Sequence, residues 1–306
     1  MKIVFAGSPM FAVAPLKNLH GSKDVEIVAV ITQPDKPVGR KKVLTATDVK
    51  AEAQSLGLPV YDWAKVKEHV AEIKALGADM MITCAYGQLL TQEVLDCFPL
   101  GVWNLHASLL PKFRGASPIQ SAILAGEKYT GITVMKTELE MDSGGILRVM
   151  RLEIGDKTYG DLQTELSILA AYLAVETVER IKKGDCQLLI QDEAQVTFCK
   201  KIQKSDCKIN FENSAEDICR LVRAMNPEPI AYCNQSGNVL NILKAVPCEG
   251  KDGQIGEVLS ADKSGIVVRC NGGAVKICEL QPAGGKKMSA GDYVNGRKIK
   301  AGDRLD

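Results

Sequence analysis

Four short runs of the chain, Lys2 to Gly7, Val25 to Thr32, Ala78 to Ala85 and Gly101 to Ala107, are largely apolar without strict alternation. A strand with one wet face alternates apolar and polar residues, whereas a continuous apolar run is buried on both faces. Stretches with helical spacing lie between the runs, at Met10 to Leu19, Asp48 to Leu56 (capped by Asp48), Lys65 to Leu76 and Gln92 to Phe98. Strand and helix in turn predict an α/β fold, a doubly wound parallel sheet with helices on both faces. A helix from Ser117 to Ala125 starts in Ser-Pro, which suits a cap followed by proline at the first helical position. Strands at Thr130–Thr137 and Ile146–Ile154 flank an acidic turn, and a long helix over Tyr159–Lys182 ends at Gly184.

Past Lys208 the pattern changes to short strands punctuated by Gly and Asn (Val239–Val246, Gly256–Leu259, Gly265–Val268, Ala274–Leu280), after a helix near Ala215–Met225. That pattern predicts a small β-barrel domain. With 306 residues, two domains are expected at roughly 100–200 residues each. The expected division is 1–189, a linker at 190–207, and 208–306.

Lys and Arg total 38 against 37 for Asp and Glu, so the formal charge is +1 and no global polyanion coat is possible. Residues 200–306 carry +4 and residues 1–199 carry −3, so contact with a polyanion has to be local. The ten cysteines never form C-x-x-C and no secretory signal precedes them, which suggests reduced core thiols in a cytoplasmic protein. His20, His69 and His106 are the only histidines and none stands at metal-ligand spacing, so no metal is expected. No apolar run reaches the roughly eighteen residues needed to cross a membrane.

The first strand invites a dinucleotide-binding Rossmann reading. However, Gly7-Ser8-Pro9-Met10 lacks the second and third glycines that admit a pyrophosphate. Gly284-Gly285-Lys286-Lys287 likewise has the wrong spacing for a P-loop.

Trp103 to Pro111 is more informative. Period-two alternation puts Asn104, His106 and Ser108 on one face and Trp103, Leu105 and Ala107 on the other. Ligands of open parallel sheets sit at the carboxyl ends of the strands, which is where these side chains fall. An amide donor stabilises a developing oxyanion and an imidazole moves protons near neutral pH. The same pattern also suits a solvated face with a satisfied histidine. The turn Glu140-Met141-Asp142-Ser143-Gly144-Gly145 adds a carboxylate able to orient His106 if the fold brings the two together. Lys36, Arg40, Lys41 and Lys42 place four positive charges in seven residues on a loop kinked by Pro37 and Gly39. That loop fits a phosphate backbone, or a plain solvated charge run.

Taken together, these residues resemble the methionyl-tRNA formyltransferase family over almost the whole chain. Asn104 and His106, then Ser108-Leu109-Leu110-Pro111 and Arg114-Gly115, are similar to its N-x-H-x-SLLP-x-x-RG element. Thr32-Gln33-Pro34-Asp35-Lys36-Pro37 with Gly39-Arg40 resembles its basic loop. Ala85-Tyr86-Gly87 resembles its pterin-side strand end, and Gln281-Pro282-Ala283-Gly284 its C-terminal signature. At Gly145 the chain departs from a second polar residue usual in the family, which predicts a looser turn.

The resemblance implies a Rossmann-like catalytic domain and a C-terminal OB-like β-barrel that binds tRNA. It implies 10-formyltetrahydrofolate as donor, initiator methionyl-tRNA as acceptor, tetrahydrofolate as product, and a monomer. It implies Asn104, His106 and Asp142 as catalytic residues. Ser108, Leu109, Leu110 and Pro111 with Tyr86, Gly87, Gln88 and Leu89 would line the folate pocket, and Lys36, Arg40, Lys41 and Lys42 would meet the tRNA. Formylation of an amino sugar, hydrolysis of formyl-folate, and a decayed RNA-binding protein are the competing expectations.

Overall fold

The computed structural model describes residues 1–39, 42–296 and 298–306. Arg40 and Lys41, expected at the basic loop, therefore lie outside the described residues, as does Arg297.

The chain divides into two compact units, one of Met1–Pro118, Tyr129–Glu153 and Gln163–Lys200, the other of Ile119–Lys128, Ile154–Leu162 and Lys201–Asp306. In the first unit the strands run β1 (Lys2–Gly7), β2 (Glu26–Ile31), β3 (Lys36–Val38), β4 (Val43–Thr45), β5 (Val60–Tyr61), β6 (Met80–Cys84), β7 (Val102–His106), β8 (Arg114–Gly115), β9 (Tyr129–Lys136), β10 (Ile146–Glu153) and β11 (Phe198–Cys199). Seven of them form one sheet in the order β10-β9-β7-β6-β1-β2-β5. β7, β6, β1, β2 and β5 pair in parallel, and β9 and β10 extend the sheet antiparallel. Strand order reverses between β1 and β6, so the crevice at their carboxyl ends is the expected ligand position.

Burial explains the apolar runs: Ile3, Val4, Phe5 and Ala6 of β1 and Met80, Met81 and Ile82 of β6 are fully buried. The helices are α1 (Val13–Gly21), α2 (Asp48–Ser55), α3 (Val70–Ala75), α4 (Gln92–Leu95), α5 (Pro118–Leu124), which past Pro118 belongs to the second unit, and α6 (Tyr159–Lys182), which belongs to the first unit from Gln163 on. On α6, Leu166, Ala170, Leu173, Ala174, Val178 and Ile181 are buried at helical spacing, and Ser167 Oγ donates to the Phe11 carbonyl at 2.8 Å.

Three local expectations change. Thr47, not Asp48, caps α2: its hydroxyl accepts from the Lys50 amide at 3.1 Å, and Asp48 falls in the first turn. The helix expected over Lys65–Leu76 is interrupted at His69, whose φ of −120° and ψ of 31° separate a 3₁₀ turn from α3. Trp63 stacks on that imidazole at 4.4 Å, and Gln88 Oε1 accepts the Val66 amide at 2.8 Å, so tertiary contacts override the helical spacing. At the basic loop, Lys36–Val38 (β3) pairs antiparallel with Val43–Thr45 (β4), with exposed side chains on both strands.

Residues 190–200, expected in a linker, belong to the first unit and bury Gln191 and Cys199. All ten cysteines are free, but only six are buried. Cys97, Cys248 and Cys278 are half-buried and Cys186 is exposed, so a core position holds for part of the set.

The second unit carries α7 (Ala215–Ala224), β12 (Ala231–Gln235), β13 (Asn238–Cys248), β14 (Val258–Asp262), β15 (Gly265–Cys270), β16 (Gly273–Pro282), β17 (Met288–Ser289) and α8 (Ala290–Asn295). Its antiparallel sheet runs β12-β13-β16-β15-β14, with β17 beside β16. Among the described residues no ladder joins β14 to β12, so the sheet is not a closed barrel. Chain-terminal residues reach both edges instead: Asp306 exchanges hydrogen bonds with Asn234, and Leu305 donates to the Gly256 carbonyl at 2.8 Å.

Candidate active site

The site starts from the register of β7. Parallel pairing sets Thr83 of β6 beside Asn104, and antiparallel pairing sets Thr133 of β9 beside His106. Asn104 and His106 share one face of β7, while Trp103 and Leu105 on the other face are buried. The Thr83 hydroxyl donates to Asn104 Oδ1 at 2.9 Å, which turns the amide so that Nδ2 faces Asp142 Oδ1 at 3.4 Å.

His106 is buried, with Nε2 2.9 Å from the Phe113 carbonyl oxygen. A carbonyl only accepts, so Nε2 carries hydrogen and Nδ1 is the nitrogen left for chemistry. Nδ1 lies 3.7 Å from Asp142 Oδ2. That is longer than a hydrogen bond, but catalytic contacts are often long before substrate binds.

Asp142 sits between β9 and β10 with φ of 51°, a left-handed conformation that Asp tolerates better than most residues. The Gly115 amide donates to its Oδ2 at 2.9 Å. Gly115 has φ of 122°, and a Cβ there would lie 2.2 Å from the Cys199 carbonyl oxygen, so only glycine fits. The Phe113–Gly115 segment is propped by β11 and its approach. Phe113 N donates to Thr197 Oγ1 at 2.8 Å and Arg114 N to the Thr197 carbonyl at 2.9 Å. One short segment thus places both the carbonyl that orients His106 and the amide that holds Asp142.

Ser108 lies past the end of β7 rather than beside His106. It is fully buried and its hydroxyl donates to the Lys112 carbonyl at 2.7 Å. Thr133 Oγ1 donates to the Ser108 carbonyl at 2.7 Å and accepts from Leu110 N at 3.2 Å. Leu110 packs with Met135 and Ile146, while Leu109 and Pro111 are half-buried.

Tyr86, Gly87, Gln88 and Leu89 follow β6 at the same carboxyl edge. The Tyr86 carbonyl accepts from Gln33 Nε2 at 3.2 Å and its ring is buried, so burial pushes its hydroxyl pKa up. Gln88 is spent on Val66 N and the Trp63 carbonyl, Gly87 adopts φ of 81°, and Leu89 is exposed.

Lys36 and Lys42 are exposed at the β3–β4 ladder. Its base is tied by Lys50, which donates to Asp35 at 2.7 Å and to Asp62 at 2.8 Å. Those bonds hold the Lys50 ammonium above its ordinary pKa and the Asp62 carboxyl below its own.

Sequence reasoning missed several supporting residues. Thr83 had a signal, since it is a polar residue inside the apolar run Met80-Met81-Ile82-Thr83-Cys84. Gln191 and Thr197 had none, because their partners lie about fifty to eighty positions away.

An amide donor, an imidazole nitrogen and a carboxyl group converge at a strand end. Such a set can polarise a carbonyl and carry a proton, which is the requirement of acyl transfer. Among the described residues, no group of three His, Cys, Asp or Glu side chains is arranged to hold a metal ion, and no helix is long and apolar enough to cross a membrane.

Residues 1–178 match the family described as Formyl transferase, and residues 201–298 match Formyl transferase, C-terminal domain. The methionyl-tRNA formyltransferase of Macrococcus caseolyticus is 40% identical over 97% of this chain and 96% of its own length. That of Coxiella burnetii is 40% identical over 100% of this chain and 97% of its own. Among solved structures, an N-formyltransferase from Helicobacter canadensis, in complex with folinic acid and dTDP-3-aminofucose, superposes with a TM-score of 0.67 at 19% identity. The match covers 90% of this chain and 98% of that one.

Proposed function

The chain belongs to the formyl transferase family, among its methionyl-tRNA formyltransferases, and from that membership we infer that it moves a formyl group from 10-formyltetrahydrofolate to the amino group of initiator methionyl-tRNA. The observation that carries the reading is the convergence of Asn104, His106 and Asp142 in a chain that has both family domains. The methionyl amine attacks the formyl carbon, a tetrahedral oxyanion forms, and collapse breaks the bond to N10 of the folate. N10 gains a proton as the amine loses one, leaving tetrahydrofolate.

On this reading Asn104 Nδ2 donates to the formyl oxygen as charge builds there, an interaction of about 2.7–4 kcal/mol in comparable oxyanion sites. His106 acts through Nδ1, because Nε2 is committed to Phe113. Asp142 keeps the imidazole in that orientation. The backbone of Ser108, Leu109, Leu110 and Pro111 and of Tyr86, Gly87, Gln88 and Leu89 lines the folate pocket. Backbone is favoured there because the Ser108 hydroxyl and the Gln88 amide are already engaged within the protein.

Lys36, Arg40, Lys41 and Lys42 contact the phosphates of the tRNA acceptor end. The residues past 208 form an OB-like domain that holds the same RNA. The terminal segment, bonded to Asn234 on one side of the open sheet and to Gly256 on the other, supports an OB-like arrangement. The protein acts as a cytoplasmic monomer.

The test mixes the protein with 10-formyltetrahydrofolate and methionyl-tRNA, with free methionine replacing the charged tRNA in a parallel reaction. N-formylmethionine recovered after deacylation is expected only from the charged tRNA. Absence of product from either acceptor, with folate still bound, rejects the acceptor assignment.

A further inference from the structure

Gln191 is 5% exposed, and all four hydrogen-bonding positions of its amide are used. Nε2 donates to the Asp142 carbonyl at 2.8 Å and to the Gly144 carbonyl at 2.8 Å. Oε1 accepts from Arg114 Nε at 3.0 Å and from Arg114 Nη2 at 2.9 Å. Arg114 is itself 1% exposed, and its charge is met by Glu193 at 2.7 Å, whose carboxylate is 72% exposed. The Arg114–Gly115 pair therefore grips Asp142 twice, through the Gly115 amide on the carboxyl and through Arg114 and Gln191 on the backbone. The turn needs such a grip, because Asp142 is a non-glycine residue at φ of 51°, followed by Ser143 and then two glycines.

We propose that Gln191, oriented by Arg114, is a positioning residue that sets the Asp142 carboxyl against His106 and Asn104. The proposal rests on the catalytic reading of Asp142 given above.

Gln191→Glu separates the two halves of the contact. A carboxylate still accepts from Arg114, but it has no hydrogen to offer the Asp142 and Gly144 carbonyls. The expected result is a kcat lowered about ten- to a hundredfold, with KM for the folate and for the tRNA within about threefold of wild type and a melting temperature lower by several degrees, because two carbonyls lose their donor. The decisive measurement repeats the change in an Asp142→Asn background, where it should cost nothing further, because residues acting through one group are not additive.

An unchanged kcat, a loss confined to KM, or the same fold-loss in both backgrounds overturns the proposal. Asp142→Asn alone tells the two readings apart. If it retains wild-type kcat, the catalytic reading fails and the proposal with it. If it is impaired while Gln191→Glu is not, only the proposal fails. Should Gln191→Glu not fold, Glu193→Ala at the exposed end of the relay gives the same test. It is expected to lower kcat about threefold in the wild type and not at all in Asp142→Asn, and an equal loss in both overturns the proposal.

Discussion

Replacing Gly115 by alanine perturbs the site at the residue that most of its geometry passes through. A Cβ there would meet the Cys199 carbonyl oxygen at 2.2 Å, and a φ of 122° is open only to glycine. Forcing an alanine into such a conformation costs about 1–3 kcal/mol. Relieving the clash requires β8 and β11 to part, which sacrifices Arg114 N to the Thr197 carbonyl at 2.9 Å and Ala116 N to the Cys199 carbonyl at 3.2 Å. Those two bonds add about 0.5–1.5 kcal/mol each, so the total is about 2–6 kcal/mol.

For a unit of this size that corresponds to a melting temperature lower by about 5–20 °C. The Asp142 carboxyl also loses its 2.9 Å donor, and a carboxyl displaced by about 1 Å should lower kcat by about tenfold or more. Gly77→Ala is the control: its φ is 59°, but nothing lies within 4 Å of the added methyl. The control pays only the left-handed cost of about 1–2 kcal/mol and keeps wild-type kcat. Calorimetry and formylation at saturating substrates read both effects. If Gly115→Ala melts within a degree or two of Gly77→Ala and retains its kcat, the reasoning from β8 and β11 is refuted.

Asn104→Ala should lower single-turnover formylation by about 10²–10³-fold without unfolding the protein, and a rate near wild type would remove Asn104 from the chemistry. Reversing Arg40, Lys41 and Lys42 to Glu should abolish use of methionyl-tRNA while folate binding, followed by fluorescence, stays intact. In the wild type, RNA affinity should fall as salt rises, and flat affinity would argue against phosphate contacts. Lys50 holds the folded Asp62 carboxyl below its unfolded value of about 3.9, so the folded state binds fewer protons there. The added stability is full at neutral pH and is lost as pH falls through the depressed value. The difference in urea midpoint between wild type and Asp62→Asn should accordingly be present at pH 7 and shrink as pH falls below about 3.9. A constant difference would show that the carboxyl is not held by Lys50.

Much of the catalytic unit was legible in the chain because its determinants are local. The apolar run Ile3-Val4-Phe5-Ala6 can be buried only on both faces. The alternation in Val102–His106 puts Asn104 and His106 on one side whatever surrounds them. The basic residues at 36–42 and the Asp142 turn could be named from composition and spacing alone, and similarity of the whole chain to its relatives supplied the reaction.

Tertiary structure decided how those pieces meet. Whether Asp142 reaches His106 depends on β9 lying beside β7 and on Gly115 fitting under Cys199, contacts between residues far apart in the chain. The break at His69 came from an aromatic stack that helical spacing cannot reveal. The stretch at 190–200 reads as a polar connection, yet Gln191 ends buried with every hydrogen bond satisfied. A polar side chain is silent in a sequence until the fold shows which distant donors and acceptors would be left unpaired without it.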